Sequence, residues 1–134
     1  MRILVVEPDR AILEMLQLRL GVAGHEVASA RTAAAAFATL MRGRPDVLFL
    51  ELSLPDADGL EVMAALNGGA ASATTPTIVT GARFNKRQVS RAIELGAEHC
   101  LLKPFGAADA LDRLDQLLRR RAPHTPTEAS VVYL

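Results

Sequence analysis

Short apolar runs alternate with longer helix-like stretches along this chain. Three runs are apolar throughout or nearly so, and they lie at Ile3–Val6, Val47–Leu50 and Thr77–Val79. Such runs favour strands that are buried on both faces, as in a parallel sheet, because half-exposed strands would alternate apolar and polar residues. Glu26–Ser29 and Cys100–Leu102 are weaker candidates for two further strands.

Apolar residues at helical spacing occupy the intervals between the predicted strands. The spacing and its end signals predict helices from Ala11 to Gly21 or Gly24, from an N-cap at Thr32 to Met41, over Leu60–Leu66, over Gln88–Leu95 and over Ala108–Arg121. Parallel strands need crossover connections, which are usually helices. The alternation therefore predicts an α/β fold, a doubly wound sheet with helices on both faces.

Composition narrows the class of protein. The 134 residues suit one domain, and 15 Lys and Arg balance 15 Asp and Glu, which argues against a polybasic nucleic-acid binder. Cys100 is the single cysteine, so an internal disulfide is excluded and a reducing compartment is favoured. The first apolar run turns acidic at Glu7, too early for a signal peptide, and no run approaches membrane-spanning length. We expect a cytoplasmic protein.

The composition changes after Arg121. Residues 122–128 are rich in Pro and Thr, as in a linker, and Val131–Leu134 is apolar and strand-prone. We therefore expect a domain over residues 1–121 followed by a linker or tail over 122–134. The tail has two interpretations: it begins an output domain that follows in a longer protein, or it is a disordered terminus.

Charged residues follow the predicted strands directly. The segments in question are Glu7–Asp9, Glu51–Gly59, Thr80–Arg83 and Lys103–Phe105. Because the carboxyl ends of parallel strands meet at one edge of a doubly wound sheet, these carboxylates and one ammonium group are expected to converge there. The general polarity of loops accounts for any one of them. It does not account for a lysine placed directly between an apolar strand and a proline.

Taken in order, these motifs resemble the receiver domain of two-component response regulators, over residues 1–121. The matching stretches are Ile3–Val6 with its acidic turn, LELSLPDADG at 50–59, ELGA at 94–97 and KPF at 103–105. The resemblance implies a flavodoxin-like (βα)5 fold whose five parallel strands have the order 2-1-3-4-5. It also implies an activity, the acceptance of a phosphoryl group from a histidine kinase onto an Asp with bound Mg²⁺.

The chain departs from this family pattern at the metal and acceptor positions. The acidic pair of the family falls on Glu7 and Pro8, so one metal-site carboxylate is a proline. Asp9 is one position away and would point differently. The phosphoacceptor position falls on Glu51.

The switch positions are altered too. The hydroxyl position falls on Gly81, and the adjacent Thr80 would face the other side of its strand. The aromatic switch position falls on Cys100, so only Lys103 and Pro104 are retained. The resemblance implies a cis peptide bond between these last two residues.

These departures lead to three hypotheses. The first is an atypical, phosphorylation-independent receiver without enzymatic activity. In this hypothesis Glu51, which is one methylene longer than Asp, pairs with Lys103 as a built-in phosphate mimic. Its simpler version is a pocket with no defined bias toward either state. The second is a competent phosphoacceptor with a weak Mg²⁺ site at Glu7, Asp9 and Glu51, the one case in which we expect a cofactor. The third, a flavodoxin-like cofactor binder, is disfavoured because the acidic turn after the first strand repels phosphate.

The expected partners are proteins, either a histidine kinase or an output domain, as in the amino-terminal half of a winged-helix transcriptional regulator. We expect no direct contact with nucleic acid and no membrane binding. The resemblance also suggests a homodimer through the fourth helix, fifth strand and fifth helix. Candidates for charged contacts on this face are Glu98, Asp109, Arg113 and Arg120. Val89 stands where a basic residue is expected, which predicts weak or altered dimerisation.

The remaining acids and histidines have simpler interpretations. Asp56 and Asp58 lie in a Pro–Gly turn, and turn formation alone accounts for them. His25, His99 and His124 lie in separate segments without metal-ligand spacing.

Overall fold

The computed structural model describes residues 1–68 and 74–121, and its centre is a parallel sheet. The strands are β1 (Arg2–Val6), β2 (Glu26–Ala30), β3 (Val47–Glu51), β4 (Thr77–Gly81) and β5 (Ala97–Leu102). Their order is β2-β1-β3-β4-β5, and all neighbouring pairs are parallel. The predicted flavodoxin-like (βα)5 topology is confirmed, while the linker or tail predicted at 122–134 lies outside the described residues.

Five helices in the described ranges cover both faces of the sheet. They are α1 (Arg10–Val22), α2 (Ala33–Leu40), α3 (Gly59–Asn67), α4 (Lys86–Glu94) and α5 (Ala107–Arg121). Helices α1 and α5 pack on one face, and α2, α3 and α4 pack on the other. Across the described part of the chain, no helix is both long enough and apolar enough to cross a membrane.

The central strands are buried on both faces, as their uninterrupted apolar runs predict. In β1, Ile3 and Val5 pack with α1 and α5, while Leu4 and Val6 pack with the opposite layer. In β3, Phe49 faces α1 and α5 and is only 1% exposed. Burial on both faces holds these two strands in place, and with them the residues at their carboxyl ends.

The predicted element boundaries differ from the observed ones by a few residues. Strand β4 continues to Gly81 and β5 starts at Ala97, because their pairing extends beyond the short apolar runs. Helix α4 starts two residues earlier than predicted. The reason is a capping box, in which the Asn85 side chain accepts from the Gln88 amide at 2.8 Å and the Gln88 side chain accepts from the Asn85 amide at 3.0 Å.

A polar network ties three elements together at the amino edge of the sheet. The Asn67 side chain at the end of α3 donates to the carbonyls of Thr75 and Leu95, both at 2.9 Å, and accepts from the Thr75 amide at 2.9 Å. Arg44 donates to the Thr75 hydroxyl at 2.9 Å. The connection between α3 and β4 includes residues 69–73, which lie outside the described residues. The network fixes both ends of that segment.

Two half-buried histidines predict that acid lowers the stability of the fold. Burial lowers the pKa of His25 and of His99 below the usual 6.5, assisted by the N-terminus at His25 and by Arg113 at His99. In the range below 6.5 the unfolded chain therefore binds more protons than the folded one. Stability is fully present above that pH and falls as the pH drops through the lower, folded-state pKa values. Urea unfolding measured from about pH 7.5 to about pH 5 checks the slope.

The double variant H25Q/H99Q provides the comparison. It is expected to have a shallower pH dependence over the same range, because its folded and unfolded states no longer differ at these two groups. Equal slopes for the variant and the wild type would contradict the assignment.

Candidate functional site

Three charged side chains meet where β1, β3 and β5 end. Glu7 follows β1, Glu51 ends β3 and Lys103 follows β5. The amide of Lys103 donates to the Gly81 carbonyl at 2.8 Å, which anchors the lysine beside the end of β4. Its side chain then reaches past the end of β4 to the carboxylate at the end of β3. The expected cis peptide bond is present between Lys103 and Pro104.

The Lys103 ammonium bridges the two carboxylates. Its Nζ donates a hydrogen bond to Glu51 Oε1 at 2.8 Å and lies 2.7 Å from Glu7 Oε1. Glu7 and Glu51 are 2% and 5% exposed, and the lysine side chain is 17% exposed. The site is therefore a nearly closed cluster in which one cation compensates two buried anions.

The cluster keeps Lys103 charged. Burial disfavours the ammonium, but its contacts with Glu51 and Glu7 outweigh burial and raise the pKa of Lys103 above the usual 10.5. A raised folded-state pKa means that the contribution to stability is fully present below 10.5 and is lost only at higher pH. The bridge consequently persists through the physiological range.

The acidic turn after β1 is committed to local structure. Glu7 Oε2 accepts from the Asp9 amide at 2.9 Å. The Asp9 carboxylate accepts from the amides of Ala11 at 2.9 Å and Ile12 at 3.2 Å, so it caps the amino end of α1. Asp9 therefore does not join Glu7 and Glu51 in one group of oxygen ligands.

The donor set does not fit the Mg²⁺ ion that the family resemblance implies. Mg²⁺ requires about six oxygen ligands in near-octahedral geometry. One oxygen of Glu7 and one of Glu51 face the ammonium, the other Glu7 oxygen accepts from Asp9, and Pro8 has no side-chain ligand. Within residues 1–68 and 74–121, no group of three or more His, Cys, Asp or Glu is arranged to hold a metal. The lysine ammonium occupies the position between the carboxylates.

Glu51 Oε2 faces the position of Gly81. This oxygen is buried and has no hydrogen-bond partner among the described residues. An ideal Cβ on Gly81 would lie 3.4 Å from it and 3.0 Å from Cε1 of Phe84. Residue 81 thus has no hydroxyl where the family has one, and the half-buried Phe84 ring packs close to the position that a side chain would take.

Phe84 is a site residue that the sequence analysis missed. An aromatic ring in an otherwise polar loop, three residues after the end of β4, was the available signal. Among the other switch positions, Thr80 is 3% exposed, and alternation along β4 places it opposite Gly81. Cys100 is half-buried, and burial raises the pKa of its thiol.

The turn acids cap helices, one of them at long range. Asp58 accepts from the Leu60 amide at 3.0 Å and caps α3. Asp56 accepts from the amides of Ala33 at 2.8 Å and Ala34 at 3.0 Å at the start of α2. These two backbone hydrogen bonds lower the pKa of Asp56. Turn formation alone is therefore an incomplete explanation of Asp56, because its partners lie more than twenty positions away in the sequence.

The dimer-face candidates Asp109 and Arg113 contact neighbouring residues of their own chain. The Asp109 carboxylate accepts from the Gly106 amide at 2.9 Å, and Arg113 pairs with Asp112 at 3.0 Å. Glu98 lies on β5, and Arg120 is exposed on α5. The homodimer through this face stays a prediction.

Comparison with known proteins assigns the family. Residues 3–115 match the model of the response regulator receiver domain. The chain belongs to this family. The transcriptional regulatory protein KdpE of Mycobacterium tuberculosis H37Rv is 35% identical to the receiver over 130 residues, which cover 97% of the receiver and 56% of KdpE. Response regulator MprA of Mycobacterium leprae is 36% identical over 129 residues, which cover 96% of the receiver and 56% of MprA. The receiver thus spans little more than half the length of these curated relatives.

Solved structures have the same fold. The CheY-like receiver domain protein of Methanospirillum hungatei matches with a TM-score of 0.78 and 25% identity, over 89% of this receiver and 94% of that chain. The resemblance inferred from the motifs is confirmed, together with the class, a receiver of two-component signalling related to transcriptional regulators.

Proposed function

We propose that this receiver signals in the cytoplasm without accepting a phosphoryl group and without catalysing a reaction. Its conformational state is set by the Lys103 bridge between Glu7 and Glu51, and protein contacts carry that state to an output. The observation that carries the proposal is the 2.8 Å hydrogen bond from Lys103 to Glu51, next to the 2.7 Å contact with Glu7.

The bridge leaves two requirements of phosphoryl transfer unmet. The attacking oxygen needs in-line access, and the charge of the transferred group needs a metal ion and a cation to neutralise it. Here Glu51 Oε1 is held by Lys103, the retained cation of the pocket, and the donor set around Glu7 does not suit Mg²⁺. The alternative function is a competent, metal-dependent phosphoacceptor, and these contacts disfavour it.

Glu51 supports the mimic version rather than a pocket without bias. At the 2.8 Å separation of Lys103 and Glu51, the Coulomb attraction is about 1.5–6 kcal/mol before desolvation is counted. About 1.4 kcal/mol shifts a two-state equilibrium tenfold, so a bridge that forms in only one of two states suffices to bias the receiver toward that state. Transcription is the output that the names of the relatives suggest.

A phosphodonor assay tests the proposal. The receiver is incubated with Mg²⁺ and acetyl phosphate, and its intact mass is measured. We expect no added phosphoryl group, because Glu51 is buried and held by Lys103 and the surrounding donor set does not fit Mg²⁺. The matched variant P8D/E51D restores both family acids, and we expect it to bind Mg²⁺ and to gain one phosphoryl group.

The outcomes separate the hypotheses. One phosphoryl group on the wild type would overturn the proposal in favour of the competent phosphoacceptor. If the P8D/E51D variant also stays unmodified, the block lies in the remaining difference beside Glu51, the missing hydroxyl at Gly81. The triple variant P8D/E51D/G81T then tests that position.

A further inference from the structure

The outer face of α2 is apolar along its whole length. The exposed residues Ala34, Phe37, Ala38 and Met41 follow one another at i, i+3, i+4 and i+7, so they form one stripe along the helix. Met41 is 87% exposed and Phe37 is 37% exposed. These four residues are called the α2 stripe below.

Helix α2 also differs from the other helices in charge. The segment from Thr32 to Met41 contains no Asp, Glu, Lys or Arg, whereas each of the other four helices in the described ranges contains at least one charged residue. A helix that is apolar on its outer face as well as its inner face is typical of a buried element. Packing against a second molecule would remove the α2 stripe from water.

A shallow groove continues this apolar surface from α2 onto α3. Its volume is about 290 Å³, and its lining residues are Phe37, Leu40, Met41, Arg44, Ala65 and Leu66. Arg44 is the one charged residue of this lining, and its guanidinium already donates to the Thr75 hydroxyl at 2.9 Å and to the Leu66 carbonyl at 2.8 Å. The groove therefore offers a partner apolar surface rather than an unpaired charge.

We propose that the α2 stripe is the contact surface of a homodimer in which two α2 helices pack antiparallel about a two-fold axis. An axis that passes between residues 37 and 38 places Phe37 opposite Ala38 of the second copy, and Met41 opposite Ala34 of the second copy. Each large side chain then meets a small one, as in a well-packed core. The stripe is therefore complementary to itself in shape.

The charges at the two ends of α2 support the antiparallel orientation. Arg42, directly after the stripe, is exposed and makes no ion pair with any residue that the structure describes. At the other end the exposed Asp56 carboxylate accepts from the amides of Ala33 and Ala34, and it has no cationic partner in the described ranges. The antiparallel pair brings Arg42 of each copy to the end of α2 at which Asp56 of the other copy lies. A parallel pair would bring Arg42 to Arg42.

The charge of the whole chain and the length of α2 set the expected strength of this dimer. The formal net charge is zero, so two copies do not repel each other at long range. Helix α2 has eight residues, and a pair of such helices buries less than the about 1,200 Å² of a standard stable interface. We therefore expect a weak dimer, with a dissociation constant of about 0.1 mM. The inference goes beyond the proposed function, does not depend on it, and uses a face other than the one predicted from the family.

Sedimentation equilibrium on the full chain tests the dimer and its surface. A38E places a carboxylate opposite Phe37 of the second copy, and we expect it to weaken dimerisation at least about tenfold. L18E on α1 and I93E on α4 make the same change in charge at apolar side chains that are 65% and 60% exposed. We expect both controls to leave the dissociation constant within about twofold of the wild-type value. A receiver that stays monomeric up to about 1 mM overturns the inference, and the stripe is then left to another protein or to the chain's own apolar segment 131–134. A dimer that I93E weakens and A38E does not also overturns it, in favour of the face predicted from the family.

A pair of introduced cysteines tests the antiparallel arrangement. In A34C/M41C the two positions lie about 10.5 Å apart along one helix, too far for a disulfide within one copy. In the proposed dimer each of them faces the other across the axis, so mild oxidation with copper–phenanthroline is expected to give a covalent dimer on a non-reducing gel. The single variants A34C and M41C are the controls, and Cys100 is present in all three proteins. No more covalent dimer in A34C/M41C than in the single variants overturns the arrangement. Neither experiment bears on the phosphodonor assay, which is read out separately.

Discussion

Replacing Lys103 by methionine is expected to lower the free energy of unfolding by about 3–5 kcal/mol. Methionine retains the apolar stem but removes the one cation that compensates Glu7 and Glu51. These carboxylates are 2% and 5% exposed, so water cannot replace the lost partner. Urea unfolding followed by circular dichroism measures the change, and the slope of the transition reports whether the wild type and the variant each unfold as one unit.

The chain offers a matched control for this substitution. Lys86 is the only other lysine, and it is exposed on α4. K86M is therefore expected to change stability by less than about 0.5 kcal/mol. In addition, K103M should cost less when Glu51 is already Gln, because one of the two buried anions is then absent. A loss for K103M no larger than that for K86M would show that the bridge contributes nothing to the fold.

Replacing Gly59 by alanine is expected to cost about 2–3 kcal/mol. Gly59 is the first residue of α3 and packs against the end of β3. A Cβ there would lie 2.5 Å from the Glu51 carbonyl oxygen and 2.7 Å from the Leu52 Cα. Both contacts are with backbone, which cannot rotate away, so α3 and β3 must separate. Thermal unfolding measures the loss.

Gly21 provides the comparison for Gly59. It lies in α1, and a Cβ there would meet nothing within 4 Å. G21A is expected to stabilise the fold by about 0.5–1 kcal/mol, because alanine loses less backbone entropy than glycine in a helix. If G59A and G21A shift stability in the same direction, close packing at Gly59 is not what requires a glycine there.

The sheet could be predicted because its signals are local. The apolar runs of β1 and β3 show burial on both faces, and their alternation with helical spacing indicates parallel order. Boundaries were less predictable where the signal is a side-chain contact rather than a pattern. The start of α4 is an example, since it depends on the reciprocal hydrogen bonds of Asn85 and Gln88.

The site was predictable in its members and less so in its contacts. Strand ends and motif order point to Glu7, Glu51 and Lys103. That one ammonium contacts both carboxylates depends on the path of the lysine side chain past β4, which no pattern in the sequence encodes. The helix-capping role of Asp56 and the presence of Phe84 in the site were missed for a related reason, because their partners come together only when the loops have folded.

The Asn67 network at the amino edge of the sheet has a practical consequence. One amide side chain joins the point where the chain leaves α3 to the point where it enters β4, with hydrogen bonds of 2.9 Å. Doubling the length of a connection whose ends are already held costs only about 0.6 kcal/mol. The interval 69–73 is therefore the natural place to graft a guest sequence, such as an epitope tag or a fluorescent reporter. The graft would enter opposite the Lys103 cluster, so such a fusion leaves the chemistry at the carboxyl edge undisturbed.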